Sequence, residues 1–366
     1  MELIRNWFRR TFSDPQLVIL IVLLVCFFGA LLLLGDMLVP VIAATVIAYL
    51  LEAPVKLLER RLPRLLSVSI VFVCFLAVSL FVIVALVPLM IRQGGQLAES
   101  VPAVVRSAQQ GLLTVSERYP ELLAEAQLRE IMTGVQSQLS GSLQDVVSVS
   151  VASVVGLVTL AVYLILVPLM VFFMLKDKVA ILGWAGRFLP SRRELAASVW
   201  QEVDQQIGNY IRGKAVEIVV VAIASYITFL ILDLDFALLL GILIGLSVLV
   251  PYVGATVMTF PVAAVAYVQW GFGEEFTWVV VAYLIVQGLD GNLLVPILFS
   301  EAVKLHPVAI IAAILFFGGL WGFWGVFFAI PLATLVRAVI EAWSRSRRSQ
   351  APEPPPDGDT VQPSAA

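Results

Sequence analysis

Residues Phe276 to Phe299 read Phe-Thr-Trp-Val-Val-Val-Ala-Tyr-Leu-Ile-Val-Gln-Gly-Leu-Asp-Gly-Asn-Leu-Leu-Val-Pro-Ile-Leu-Phe. As a helix rising about 1.5 Å per residue this stretch is long enough to cross the roughly 30 Å hydrocarbon layer, and Asp290 falls well inside it. An aspartate at the centre of such a helix costs roughly 2.5 to 3.5 kcal/mol to insert. It therefore faces a protein interior or a watery cavity, and such residues mark transport paths. Gln287 sits one turn earlier on the same helical face. Gly288 and Gly291 loosen the helix, and Pro296 has no N–H to give the carbonyl of Asn292. The spacing predicts a polar, breakable point at membrane depth, which Asn292 joins if the helix breaks at Gly291. Asp290 has two readings, a carrier of transported charge or one side of a helix–helix hydrogen bond, and the first is preferred.

Composition carries the same message over the whole chain. Of 366 residues, 60% are hydrophobic and 13% charged, with a mean hydropathy of +0.99. That is outside the range of water-soluble domains and defines a polytopic membrane protein. The net charge of -3, with basic residues spread over several loops, argues against a nucleic-acid partner. Cys26 and Cys74 lie in apolar runs without a CxxC arrangement and are expected to be packing residues. Arg5, Arg9 and Arg10 precede the first apolar run, but no small-residue cleavage site follows, so that run is taken as a retained helix.

Leu17–Leu34 and Met37–Leu51 are separated only by Gly35 and Asp36, which predicts a tight helical hairpin. Lys56, Arg60, Arg61 and Arg64 follow, and with the N-terminal arginines they assign this end to the cytoplasm. Leu65–Ile91 then crosses outward. From Arg92 to about Asp145 the chain is polar and free of lysine, with Leu128, Met132, Val135, Leu139 and Leu143 at helical spacing, a small outer helical domain. Val146–Leu175 returns, containing Pro168 and ending at Lys176 and Lys178. Ser191 and Glu194 have capping-box spacing, and Leu195, Val199, Val203, Ile207 and Tyr210 form one stripe, an amphipathic helix on the cytoplasmic face up to Arg212 and Lys214. Ala215–Leu232 is read as a separate outward span.

Two stretches are too long for one crossing and too weakly interrupted for two: Phe236–Trp270, broken at Leu249–Gly254, and Pro307–Val339, broken by Gly318, Gly319, Gly322 and Gly325. Each is expected to be a hairpin turning within or near the membrane. Pro251 and Gly254 shape the first tip, with Pro261 beyond; Trp324 and Gly325 lead to Pro331 in the second. Entering from opposite sides, the pair forms an inverted repeat whose tips approach Asp290. His306, the single histidine, is either a proton relay or, preferably, a cap for the helix that begins at Pro307. The basic start of the tail, Arg337 to Arg348, is expected in the cytoplasm.

Pro251-Tyr-Val-Gly254, Asp290-Gly-Asn292 through Pro296, Leu305-His-Pro307 and the layout from Leu17 to Trp343 together resemble the autoinducer-2 exporter family, also labelled PerM-type permeases. The resemblance implies export of a small signalling molecule, as in some members; others exchange sodium or lithium for protons, and many are unassigned. Many relatives carry glutamate where this chain has Asp290. The expected fold is an all-α polytopic membrane protein of about eight apolar segments, including the two hairpins in an inverted repeat and a small extracytoplasmic helical domain. Its expected partition is 1–91 for N-terminal membrane helices, 92–146 for the outer domain, 147–175 for a membrane helix, 176–214 for the cytoplasmic amphipathic region, 215–343 for the transport core and 344–366 for a disordered tail.

The expected function is a permease of the bacterial inner membrane, with both termini cytoplasmic, ion-coupled through Asp290, Gln287 and Asn292. Helix breaks or gates are expected at Pro251, Gly254, Gly291, Pro296, Gly325 and Pro331. A sodium or lithium for proton antiporter and a non-transporting scaffold for envelope proteins are the alternatives. Expected partners are the bilayer and a small-molecule or cation substrate, with a homo-oligomer left open. No cofactor or metal is expected. No GxxxxGK[ST] loop supplies an ATP site and no GxSxG a hydrolase nucleophile, so the chain is not expected to be an enzyme.

Overall fold

A computed structural model describes residues 15–99, 154–187, 194–251, 253–299 and 305–338. The described residues are helices joined by short turns, without strands. Six helices are long and apolar enough to cross a membrane, beside shorter apolar ones. The chain is an all-α polytopic membrane protein. In order the elements are α1 (Pro15–Glu59), α2 (Arg64–Phe81), a π-helical turn π1 (Val82–Leu86), α3 (Val154–Lys176), α4 (Lys178–Gly186), α5 (Glu194–Ile231), α6 (Ala237–Ser247), α7 (Val253–Trp270), α8 (Glu274–Leu289), a second π turn π2 (Asp290–Leu294), α9 (Val295–Phe299), α10 (Pro307–Phe327) and α11 (Ala329–Ala338). Residues 100–146 of the expected outer domain, with the Leu128–Leu143 stripe, as well as Ser191, Glu301–Lys304 and the tail, lie outside the described residues.

Four sequence expectations are corrected. Gly35 and Asp36 do not form a turn: α1 runs unbroken for 45 residues, with Pro40 and Pro54 inside it. A glycine in a helix costs about 1 kcal/mol but ends it only where the backbone goes left-handed. Among the described glycines only Gly271 and Gly322 have positive φ. Lys214 does not end an amphipathic helix, because α5 continues through it as one rod of 38 residues. The buried stripe that begins at Val203 and Tyr210 runs on as Lys214, Glu217, Val221, Ser225 and Phe229 along a single face. Cys26 and Cys74 are exposed on their helices rather than packed inside. The helix that starts at Arg64 also continues past the expected boundary at Ile91, to Glu99.

Two compact units emerge, one from residues 34–186 and 208–304, the other from 1–33, 187–207 and 305–366. In the larger unit Ala44, Val55, Val68, Val71, Val171 and Leu175 pack α1, α2 and α3 together. The basic ends of these helices meet: Arg64 reaches Glu59 at 2.9 Å and the Leu175 carbonyl at 2.6 Å, and Lys178 reaches the buried Glu52 at 3.2 Å. A second core joins Val221 and Phe229 of α5, Leu240 and Ile244 of α6, Met258, Val262 and Val265 of α7, and Val279 and Tyr283 of α8. In the smaller unit Ala313 and Phe317 of α10 pack with Ala329 and Leu332 of α11, and Phe28 stacks on Phe317.

Each unit contains one folded-back pair of helices. Between α6 and α7 the chain turns at Leu249–Pro251, and the first turn of α7 packs directly on the end of α6: a side chain at Gly254 would run into the Ser247 carbonyl. Within α10 the backbone breaks at Gly322 (φ 57°, ψ -135°), and a side chain at Gly325 would run into the Phe317 carbonyl. Both contacts require a residue without Cβ. The two hairpins thus share one device, a glycine seated on a carbonyl of the outgoing helix.

Candidate functional site

α8 presents Val279, Tyr283, Gln287 and Asp290 along one face. Val279 and Tyr283 are buried in the core, so Gln287 and Asp290 face the protein rather than lipid. The Tyr283 hydroxyl donates to the Ala255 carbonyl at 2.6 Å, which fixes this face against α7 just beyond the first hairpin tip. At Asp290 the helix does not break but widens: the Val295 N–H bonds back to the Asp290 carbonyl, an i to i−5 link. Proline explains it. Pro296 withholds the N–H that would meet Asn292, and its ring clashes with that carbonyl in a regular turn. The same solution occurs in π1, where the Val87 N–H bonds to Val82 immediately before Pro88. Gly291 lies inside π2 without breaking the chain.

On α5 stands a charged pair that sequence reasoning missed. Lys214 Nζ lies 2.8 Å from Glu217 Oε2, with side-chain exposures of 6% and 2%, in the span Trp200–Ile231. The same ammonium donates to the Val248 carbonyl at 2.8 Å and lies 5.4 Å from the Phe299 ring centre. Phe299 also packs on Tyr210, and a Cβ at Gly213 would stand 2.6 Å from its ring. Asp290 is within electrostatic reach of both Lys214 and Glu217. Asp290 Oδ1 and Gln287 Nε2 are buried and have no hydrogen-bond partner among the described residues. The site therefore gathers two carboxylates, an ammonium and a helix-terminal carbonyl, with the Gln287 amide one turn from Asp290 on the same face.

The other expected site residues fall elsewhere. Asn292 is exposed and turns its amide onto the Gly288 carbonyl at 2.9 Å, away from this cluster. Pro251 is in the turn of the first hairpin and Gly254 at its tip. Gly325 and Pro331 belong to the second hairpin, where Thr334 Oγ1 donates to the Pro331 carbonyl at 2.7 Å. His306 is the exposed N-cap of α10, its Nδ1 accepting from the Val308 N–H at 3.3 Å. The signal that could have found the missed pair was Glu217, an acid three residues inside the apolar run Ala215–Leu232, with a lysine one turn before it.

Six helices long and apolar enough to cross a membrane, one of them widened at Asp290, define the class, a polytopic membrane protein. The comparisons make the class specific. The family model described as AI-2E family transporter matches residues 18–345. PerM of Escherichia coli (strain K12), named as a permease, is 48% identical over 96% of this chain and 99% of its own length. YueF of Bacillus subtilis (strain 168), named as a transport protein, is 28% identical over 82% of each chain. The AI-2 transport protein TqsA of Escherichia coli (strain K12) is 22% identical over 90% of this chain and 93% of its own. The chain belongs to the AI-2E transporter family, as its motifs led one to expect.

Proposed function

We propose that this chain is a secondary transporter of the inner membrane that moves a small polar solute, coupled to an ion gradient through Asp290. The observation that carries the reading is the pair of buried, unpartnered polar atoms, Asp290 Oδ1 and Gln287 Nε2, beside the Lys214–Glu217 ion pair. A buried polar group left without a partner costs roughly 1 to 3 kcal/mol, a cost that packing alone gives no reason to keep. A solute or a hydrated ion offering a donor to the carboxylate and an acceptor to the amide removes it. Orientation follows from the basic helix ends: Lys56, Arg60, Arg61, Arg64, Lys176 and Lys178 cluster where α1, α2 and α3 meet, which supports a cytoplasmic position for that end.

The test is flux into and out of liposomes under an imposed pH or sodium gradient, over a panel of hydroxylated signals, AI-2 among them, and alkali cations. Asp290→Asn keeps the volume and the hydrogen-bonding capacity of the side chain but cannot neutralise a cation or release a proton. Wild type is expected to show gradient-driven flux, Asp290→Asn to lose it and Asp290→Glu to keep part. Undiminished gradient-driven flux in Asp290→Asn would falsify the coupling role. Alkali cation exchange without solute flux would favour the antiporter alternative.

A further inference from the structure

We propose that Lys214 is a positioning residue for transport: its ammonium latches the tip of the first hairpin to the charged site on α5, and the hairpin opens when that ammonium leaves the Val248 carbonyl. The inference rests on the transport reading above and adds a gate to it. Val248 is the C-cap of α6, a helix of 11 residues, too short to span a bilayer. Its terminal carbonyls carry the negative end of the helix dipole; Leu246 and Ser247 accept from the Leu249 and Val250 N–H groups of the turn, and the Val248 carbonyl faces α5. Lys214 supplies one donor at 2.8 Å. The tip's own bonds, Gly254 N–H to Val250 and Val253 N–H to Pro251, stay within the turn. Lys214 thus ties the tip to another helix.

Two features make this contact a latch rather than a fixed strut. Phe299 lies over the ammonium and against Gly213, which excludes water and strengthens the bond while it lasts. Asp290 interacts electrostatically with Lys214 and keeps an unpartnered Oδ1, so it competes with the Val248 carbonyl for the position of the ammonium through charge. A lysine has three donors on a four-carbon stem and can move between acceptors by rotation about its side chain. What binds or neutralises Asp290 therefore decides whether Lys214 stays on Val248. Charge at the site and position of the tip become one equilibrium.

The test follows the tip directly. In a Cys26→Ser/Cys74→Ser background, Val250→Cys reports tip exposure through its rate of reaction with a water-soluble maleimide on full-length protein in nanodiscs. Lys214→Met/Glu217→Gln removes the ammonium without stranding a carboxylate charge. It is expected to raise the rate by roughly tenfold or more, the change in an opening equilibrium for loss of a hydrogen bond from a charged donor. Lys214→Arg and Glu217→Gln alone, which keep a cation beside Val248, are expected to react at the parent rate. An unchanged rate in the double variant overturns the latch, as does an equal rise in Glu217→Gln alone. A parallel rise at Val68→Cys, a fully buried site in the other core of the same unit, would report general unfolding and also overturn it. The assay needs no solute gradient, so flux that survives Asp290→Asn sinks the coupling role while leaving the latch measurement to stand or fall alone.

Discussion

Lys214→Met should destabilise the protein more than any exposed charge change, and Glu217→Gln should partly reverse it. The substitution leaves Glu217, 2% exposed, with its Oε2 stripped of the ammonium 2.8 Å away. Breaking a buried ion pair by removing one partner costs about 3 to 5 kcal/mol, because the remaining charge is uncompensated. In the double variant no charge is stranded. What remains is chiefly the lost donor to Val248, about 1.5 to 3 kcal/mol for a hydrogen bond from a charged group. The double variant should therefore be more stable than Lys214→Met alone, with a coupling of about 2 kcal/mol between the two sites. Glu59→Gln provides the comparison. It removes a contact to Arg64 that is also short, at 2.9 Å, and leaves the Arg64 bond to the Leu175 carbonyl in place; Arg64 is 34% exposed, and such pairs are worth about 1 kcal/mol or less. The assay is unfolding from mixed micelles by sodium dodecyl sulfate, followed by tryptophan fluorescence for each corner of the cycle. Additive losses in the Lys214 and Glu217 variants would refute the reasoning, since independent sites cannot be each other's counter-charge.

Gly254→Ala and Gly325→Ala are each expected to lower stability by about 1 to 3 kcal/mol through overpacking, measured as a drop in thermal midpoint, whereas alanine at the exposed Gly288, whose Cβ meets nothing within 4 Å, should be tolerated. Equal tolerance at all three positions would remove the carbonyl-seat account of the hairpins. For orientation, single cysteines at Arg61 and at Phe272, in the exposed turn between α7 and α8, are compared in right-side-out vesicles with an impermeant maleimide. Phe272→Cys is expected to react and Arg61→Cys to be protected; the reverse pattern inverts the assignment.

The sequence revealed more of the class than of the joints. Asp290 was legible because a carboxylate amid apolar residues has few tolerable surroundings, and Gln287 and Asp290 share a face by spacing alone. The hairpin at Leu249–Gly254 was legible because Phe236–Trp270 is too long for one span and carries a proline at its interruption. Helix ends were not. Gly35-Asp36 and Arg212–Lys214 carry the residue types that end helices, yet α1 and α5 run through both. Continuity there depends on what packs against the helix, which local propensity does not contain. Pro296 announced an irregularity without its form, since a missing N–H is compatible with a kink, a break or a π turn, and neighbouring helices choose among them.

The charged cluster itself follows from one length. α6, at 11 residues, is about 16 Å long, roughly half the hydrocarbon thickness of a bilayer. A helix that stops among apolar neighbours leaves carbonyls to be met; Leu246 and Ser247 are met by N–H groups of the turn, and Lys214 of α5 meets Val248. A lone ammonium at that depth is itself untenable, which accounts for Glu217 one turn further along the same face. With Lys214 committed to Glu217 and Val248, the next carboxylate in reach, Asp290, is left with a buried oxygen that no described side chain satisfies. The short helix is thus met by a lysine and the lysine by a glutamate, while the aspartate within their electrostatic reach keeps a buried oxygen without a partner among the described residues.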